Sequence, residues 1–188
     1  LGSLAAELFL VEQDYRRNPG EELRVDLADA LAGPPRLAPA TPGQEERRIA
    51  VVLGNPPFGQ RSVPAGSWME GLLRDYTRID GERSSERGSK WLCDSSLHFL
   101  RLAQWTVEEA GAGILGLVLP HTLLEVPTFR GVRRSLLAAF DEIYALDLHG
   151  NRRKGETGRG KEPDENVFAG VATGIAVLFL VRFPRPRS

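Results

Sequence analysis

The chain has a single cysteine, Cys93, in 188 residues. An intrachain disulfide is therefore excluded, and one thiol suits a reducing cytoplasm. Its three histidines, His98, His121 and His149, show no metal-ligand spacing, and one cysteine cannot complete such a site, so no metal is expected. No apolar run approaches the roughly 20 residues a membrane helix needs. The first residues lack the basic-then-apolar order of a signal peptide. The expectation is a cytoplasmic chain with no membrane partner. Net charge is -1, so no excess of one sign announces a nucleic-acid partner and basic residues must be read locally. Residues 155–160 lack the Gly-Lys-Ser/Thr ending of a phosphate-binding loop, and no serine stands in a nucleophile elbow.

What is present is enough chain for one domain with a sizeable core. Residues 4–15 read as a helix ended by Asn18, Pro19 and Gly20. Residues 23–31 read as a short strand running into a loop, and 33–44, with four prolines, as an irregular connector. Residues 49–53 are a continuous apolar run rich in β-branched residues, the pattern of a strand buried on both faces. Residues 59–90 are polar and read as a long surface loop. A helix is expected over 92–110, stopped by Gly111, then a buried strand over 114–119 and a helix over 122–140 disturbed by Pro127. Strands are expected over 143–148 and 174–181, separated by a Gly-rich, basic loop at 150–165. Strands alternating with helices mean an α/β sheet, mostly parallel, and the missing helix between the last two strands predicts an antiparallel edge pair.

The residues that carry chemistry follow the 49–53 run. Gly54 is succeeded by Asn55, Pro56, Pro57 and Phe58 at what would be the carboxyl end of a strand, where open α/β sheets place their ligands. The tetrapeptide suits the methylation of a conjugated amine. Such a nitrogen is a poor nucleophile because its lone pair is delocalised. A site helps by accepting both amine hydrogens and aiming the nitrogen at an electrophilic methyl. The Asn55 side-chain oxygen is one acceptor, and the main-chain carbonyl of Pro56 is the other. Two prolines fix φ and remove donors, leaving a stiff corner that offers mainly carbonyls. Phe58 adds a flat face on which an extruded base can stack, worth roughly 1–3 kcal/mol. The bland alternative is a strand-ending turn, where Asn and Pro are common.

These residues resemble the S-adenosylmethionine (SAM)-dependent amino-methyltransferases, whose motif is Asn/Asp-Pro-Pro followed by an aromatic. The order of segments resembles the gamma class of adenine-N6 DNA methyltransferases over residues 23–181. The stretches Leu146-Asp147-Leu148-His149-Gly150-Asn151, Arg153-Lys154-Gly155-Glu156 and Asp164-Glu165-Asn166-Val167-Phe168 are similar to the methyltransferase domain of large single-chain restriction-modification enzymes. The resemblance implies a site-specific DNA methyltransferase with SAM as cofactor and double-stranded DNA, its target adenine flipped out, as partner. It implies that Phe168 closes on the base opposite Phe58, with a core phenylalanine as the alternative. It further implies that Asp29 and Ala30 contact the adenine of the cofactor, where a solvated loop aspartate is the alternative. Basic residues at 130–134 and in the 150–165 loop, Arg153 and Lys154 among them, are candidates for phosphate contact; a solvated charged face is the alternative.

One departure qualifies the resemblance. No Phe-x-Gly-x-Gly loop precedes Asn55, and no acidic residue ending a second strand is identifiable. With Leu1 in place of an initiating methionine, the expectation is a partial Rossmann-like methyltransferase domain over 1–188 with its first strands missing. Its parts would be the catalytic strand and motif (45–58), the polar loop (59–90) and the basic loop (150–165), and it would belong to a larger restriction-modification polypeptide. Two other readings stay open: an inactive or DNA/partner-binding fragment without its own cofactor site, and a methyltransferase acting on protein glutamine or an RNA amine.

Overall fold

The apolar runs become the strands of one sheet, and the amphipathic segments between them cover one side of it. The structure, a computed structural model, describes residues 30–34, 51–79, 82–83, 93–151, 165–168 and 170–185. In chain order these form β1 (Val51–Gly54), α1 (Trp68–Leu73), a 3-10 turn (Arg74–Thr77), β2 (Arg78–Ile79), β3 (Glu82–Arg83), α2 (Ser95–Ala110), β4 (Gly113–Pro120), α3 (Thr122–Glu125), a second 3-10 turn (Pro127–Phe129), α4 (Arg130–Ala139), β5 (Glu142–Asp147) and β6 (Ile175–Arg182). The expected helix at 4–15 and most of the strand at 23–31 and of the connector at 33–44 lie outside the described residues.

The four long strands are ordered β1-β4-β6-β5. β1 and β4 pair in parallel, with Val51 opposite Ile114 and Gly54 opposite Leu117. β6 pairs antiparallel with both β4 and β5. The sheet is therefore mixed, and the expectation of a mostly parallel sheet is corrected. β6, the last strand in the chain, lies between β4 and β5. The expected antiparallel edge pair of the last two strands is present, with β5 outermost among the described strands.

Alternation along the strands sorts their side chains onto two faces. Leu115, Leu117 and Leu119 of β4 share a face with Leu178 and Leu180 of β6, and all five are buried beneath the helices. The opposite face carries Val51, Leu53, Ile114, Phe179, Tyr144 and Leu146, all exposed, with Leu53 at 69% and Val51 at 52%. Residues 51–53 are thus not buried on both faces as the apolar run suggested. Among the described residues every helix that packs on the sheet does so on one side, and a continuous apolar run is covered only where a second layer is supplied.

α2 is the helix most closely packed on the sheet. Asp94 caps it by accepting from the Ser96 N–H at 2.9 Å and the Ser96 hydroxyl at 2.7 Å. Gly111, at φ 83°, closes its other end with its N–H on the carbonyls of Val107 and Glu108. The polar 59–90 segment is not simply a loop. It contains α1, whose Met69 and Leu73, with Tyr76 a turn later, enter the core, while Trp68 meets Trp105 of α2 edge-on at 5.1 Å. Three apolar anchors spaced at helical intervals seat it despite the polar composition around them.

A polar cluster built on the buried Tyr76, Arg101 and Gln104 ties α1 and the turn after it to α2 and α4. The Tyr76 hydroxyl donates to Gln104 Oε1 at 3.0 Å, and Gln104 Nε2 donates to Glu108 and to Ser135 of α4. Arg101 donates to Asp75 at 2.7 Å, to Glu108 at 3.1 Å and to the Leu72 carbonyl at 3.0 Å. Burial alone would lower the pKa of Arg101, but the charge of Glu108 and the hydrogen bond to Asp75 outweigh it and hold the guanidinium more firmly charged. Removing one partner would leave a desolvated group exposed to the full penalty, so the cluster rigidifies the layer.

Candidate functional site

The carboxyl ends of β1 and β4 define the rim of interest. β1 delivers Gly54 and then Asn55, which is exposed at the strand's end. Pro56 is buried and anchors the corner, while Pro57 and Phe58 are exposed, Phe58 at 37%. The corner is held on its far side as well. The Ser95 N–H at the start of α2 donates to the Gly59 carbonyl at 2.8 Å, and the Arg61 N–H donates to the Cys93 carbonyl at 2.6 Å. A strand on one side and a helix start on the other therefore fix a turn whose Asn amide faces solvent. That geometry suits an acceptor for a ligand's N–H groups, because the prolines contribute carbonyls and no donors.

The second part of the rim lies where β4 ends and β6 begins. His121 follows β4 directly and is buried. Its Nδ1 is 3.3 Å from Asp147 Oδ1 at the end of β5, and its Nε2 is 2.8 Å from Asn151 Nδ2. Asp147 Oδ1 also accepts from the His149 N–H at 2.9 Å. Asn166 reaches across with its Nδ2 on the carbonyls of Gly150 and Thr173, and its Oδ1 accepts from the Phe168 N–H at 2.9 Å. Phe168 is 37% exposed above this node. Phe58 and Phe168 therefore stand at the same end of the sheet, on segments that leave β1 and enter β6. β1 and β6 are separated by two interstrand spacings, about 10 Å.

Of the remaining expected site residues, Ala30 lies exposed in a turn whose Leu31 is buried against the core. Asp29, Arg153 and Lys154 lie outside the described residues. Ala30 offers no side-chain donor or acceptor, and Asp147, the carboxylate at the end of β5, is already engaged by His121 and the His149 amide. The described residues thus do not by themselves form a donor set for SAM. Arg133, expected as a phosphate contact, turns inward and donates to the carbonyls of Leu123 and Val126 at 2.8 and 2.9 Å, closing the end of α3. Arg130 and Arg134 are exposed. Among the described residues no group of His, Cys, Asp and Glu is arranged to hold a metal, and no helix is long and apolar enough to cross a membrane.

Sequence reasoning missed the His121–Asn151–Asn166 node. Asn151 and Asn166 stood in the stretches similar to restriction-modification methyltransferases, and His121 directly follows an apolar strand run, but nothing in the sequence joined the three.

No family model matches the chain, and no curated protein matches it. Solved structures do. A cryoEM structure of a DrdV–DNA complex is 26% identical, with a TM-score of 0.58 over 72% of this chain and 14% of that one. The ATP-dependent Type ISP restriction-modification enzyme LlaBIII bound to DNA is 22% identical, with a TM-score of 0.58 over 71% of this chain and 9% of that one. A nuclease-deletion mutant of the Type ISP restriction-modification enzyme LlaGI in complex with a DNA substrate mimic is 21% identical, with a TM-score of 0.57 over 71% and 13%. The chain spans a small fraction of the length of these proteins. Its fold is similar to that of a part of DrdV and of parts of Type ISP restriction-modification enzymes.

Proposed function

We propose that this chain is the acceptor-holding part of an adenine-N6 DNA methyltransferase working within a restriction-modification polypeptide. The observation that carries the reading is the solvent-facing Asn55 on a proline-stiffened corner at the carboxyl end of β1. Likeness of fold to parts of DNA-bound restriction-modification enzymes supports DNA as the partner. In this reading an adenine leaves the duplex and enters the rim. The Asn55 oxygen and the Pro56 carbonyl accept the two hydrogens of its N6 amine, which orients the nitrogen lone pair outward from the ring plane. Phe58 and Phe168 cover the faces of the base. SAM, when bound, supplies the electrophilic methyl. The amine sheds its proton after methyl transfer, so no strong general base is required.

A second reading is favoured by the exposed apolar face of β1, β4 and β6, with Leu53 at 69% exposure. It takes the chain as an inactive remnant that binds DNA or a partner and has no part in methyl transfer. The two separate in one assay. Labelled SAM is supplied to the full-length protein with DNA, RNA and protein substrates. Label in DNA supports the proposal, and label confined to RNA or protein rejects DNA as the substrate. No incorporation, together with DNA binding, favours the second reading.

A further inference from the structure

The node at the start of β6 has a feature that core packing does not require: polar side chains from three separate segments fasten it, His121 to Asn151 and Asn166 to the carbonyls of Gly150 and Thr173. His121 and Asn151 are 3% and 4% exposed. The His121 ring's Nε2 lies 2.8 Å from Asn151 Nδ2 and 3.7 Å from Glu125 Oε1, and its Nδ1 lies 3.3 Å from Asp147 Oδ1. The His121 backbone N–H donates to the Gly174 carbonyl at 2.9 Å. The ring lies on the Gly174 backbone so closely that a Cβ there would come within 2.7 Å of it. Asn166 is pressed against Gly150 in the same way, where a Cβ would meet the Asn166 Cα at 2.6 Å. Gly150 also holds φ 76°, which favours glycine. Both ends of the β5-to-β6 connection are therefore drawn together at its neck and fastened to the end of β4. The last bond in the chain of contacts is the one from the Phe168 N–H to Asn166 Oδ1.

We infer that His121, Asn151 and Asn166 form a latch that holds Phe168 at a fixed height above the rim. They are positioning residues and touch no substrate. The inference rests on the reading of Phe168 as an aromatic that covers an extruded base. A stacking face that is not fixed must be ordered each time a base arrives, and that ordering opposes binding of the flipped state. Buried polar groups satisfied by one another specify a single arrangement, which apolar packing would do less sharply.

The test is a double-mutant cycle in the full-length protein, read by single-turnover methyl transfer to DNA and by hydrogen exchange at the Phe168 amide and at the Val171 amide, which donates to the Phe168 carbonyl at 3.2 Å. Phe168→Ala is expected to lower the methyl-transfer rate about 10- to 100-fold, the range for losing one base-stacking contact. His121→Ala should lower it by a similar factor, leave DNA affinity within about twofold, and speed exchange at both amides. The double variant should be no slower than the slower single variant, since both changes remove the same contact. Losses that multiply would overturn the inference, because His121 would then act independently of Phe168. Unchanged exchange in His121→Ala would overturn it too. If His121→Ala does not fold, Asn166→Ala, on the half-buried loop, takes its place in the same cycle with the same expectations. A wild-type protein that methylates no DNA defeats the functional reading, while the exchange result still decides whether the latch exists.

Discussion

Substituting Gly131 by alanine should weaken the protein, although glycine-to-alanine changes inside helices usually strengthen one. Gly131 is buried in the first turn of α4. A Cβ built on it would overlap the carbonyl oxygen of Tyr76 and lie 3.1 Å from that carbonyl's carbon. The obstructing atoms are backbone of the 3-10 turn after α1, so no side chain can swing aside. Alanine gains up to about 1 kcal/mol of helix propensity over glycine. Forcing extra volume into a packed contact typically costs about 1–3 kcal/mol, and a rigid obstacle places this case at the upper end. The net expectation is a loss of about 2 kcal/mol. Gly71 is the internal control, because it lies in α1 and a methyl added there would meet nothing within 4 Å. Gly71→Ala should gain about 0.5–1 kcal/mol. In equilibrium urea unfolding with a slope of about 2 kcal/mol/M, the midpoint of Gly131→Ala falls by about 1 M and that of Gly71→Ala rises by a few tenths. Should both variants shift upward together, α4 does not lie against the Tyr76 carbonyl and the helical layer is packed otherwise than described.

Three further outcomes follow from the same packing. Burial raises the pKa of Tyr76 well above its ordinary 10.0; the nearby Arg101 opposes this, and Glu108 and Asp75 add to it. Below that ordinary value both states keep the proton; above it the unfolded chain releases a proton that the folded one retains, so stability falls as pH rises. Tyr76→Phe should therefore lose about 1 kcal/mol or somewhat more at neutral pH, from the hydrogen bond to Gln104, yet decline less steeply above about pH 10 in urea unfolding; an unaltered alkaline slope would contradict the burial. Asp94→Ala removes the cap of α2 and should cost about 1 kcal/mol, with equal stability of the two proteins counting against the cap. The exposed face bearing Leu53 and Phe179 should bind an apolar dye, and Leu53→Ser with Phe179→Ser should reduce the signal; dye binding unaffected by both changes would place the apolar surface elsewhere.

The strands were legible because their runs are long and apolar: 114–119 and 174–181 became β4 and β6 with ends displaced by one residue. α2 was legible from its periodic face and from Gly111, and the break at Pro127 fell where a ring without an N–H had to interrupt the helix. Sheet order was not legible. A run of alternating residues does not say which neighbour it joins, and β6 lies between β4 and β5 because of pairings formed across the fold. α1 was overlooked inside a polar stretch, yet Ser67 and Glu70 mark its start. The Ser67 hydroxyl accepts from the Glu70 N–H at 3.2 Å, and the Glu70 carboxylate accepts from the Gly66 N–H at 2.7 Å. At the rim, the place of the Asn55–Phe58 corner at a strand's end could be read because the apolar run and the turn are adjacent in sequence. The node of His121, Asn151 and Asn166 could not, since their segments come together only after β4, β5 and β6 have assembled.

The central claim is that the Asn55 corner receives the N6 amine of an extruded adenine. It is tested most directly by digesting DNA treated with the full-length protein and SAM to nucleosides and quantifying N6-methyladenine by mass spectrometry, for wild type and Asn55→Ala. The account predicts the modified base with wild type and its loss, by at least about 100-fold, with Asn55→Ala in a protein that still folds and binds DNA. Equal yields from the two proteins would contradict it.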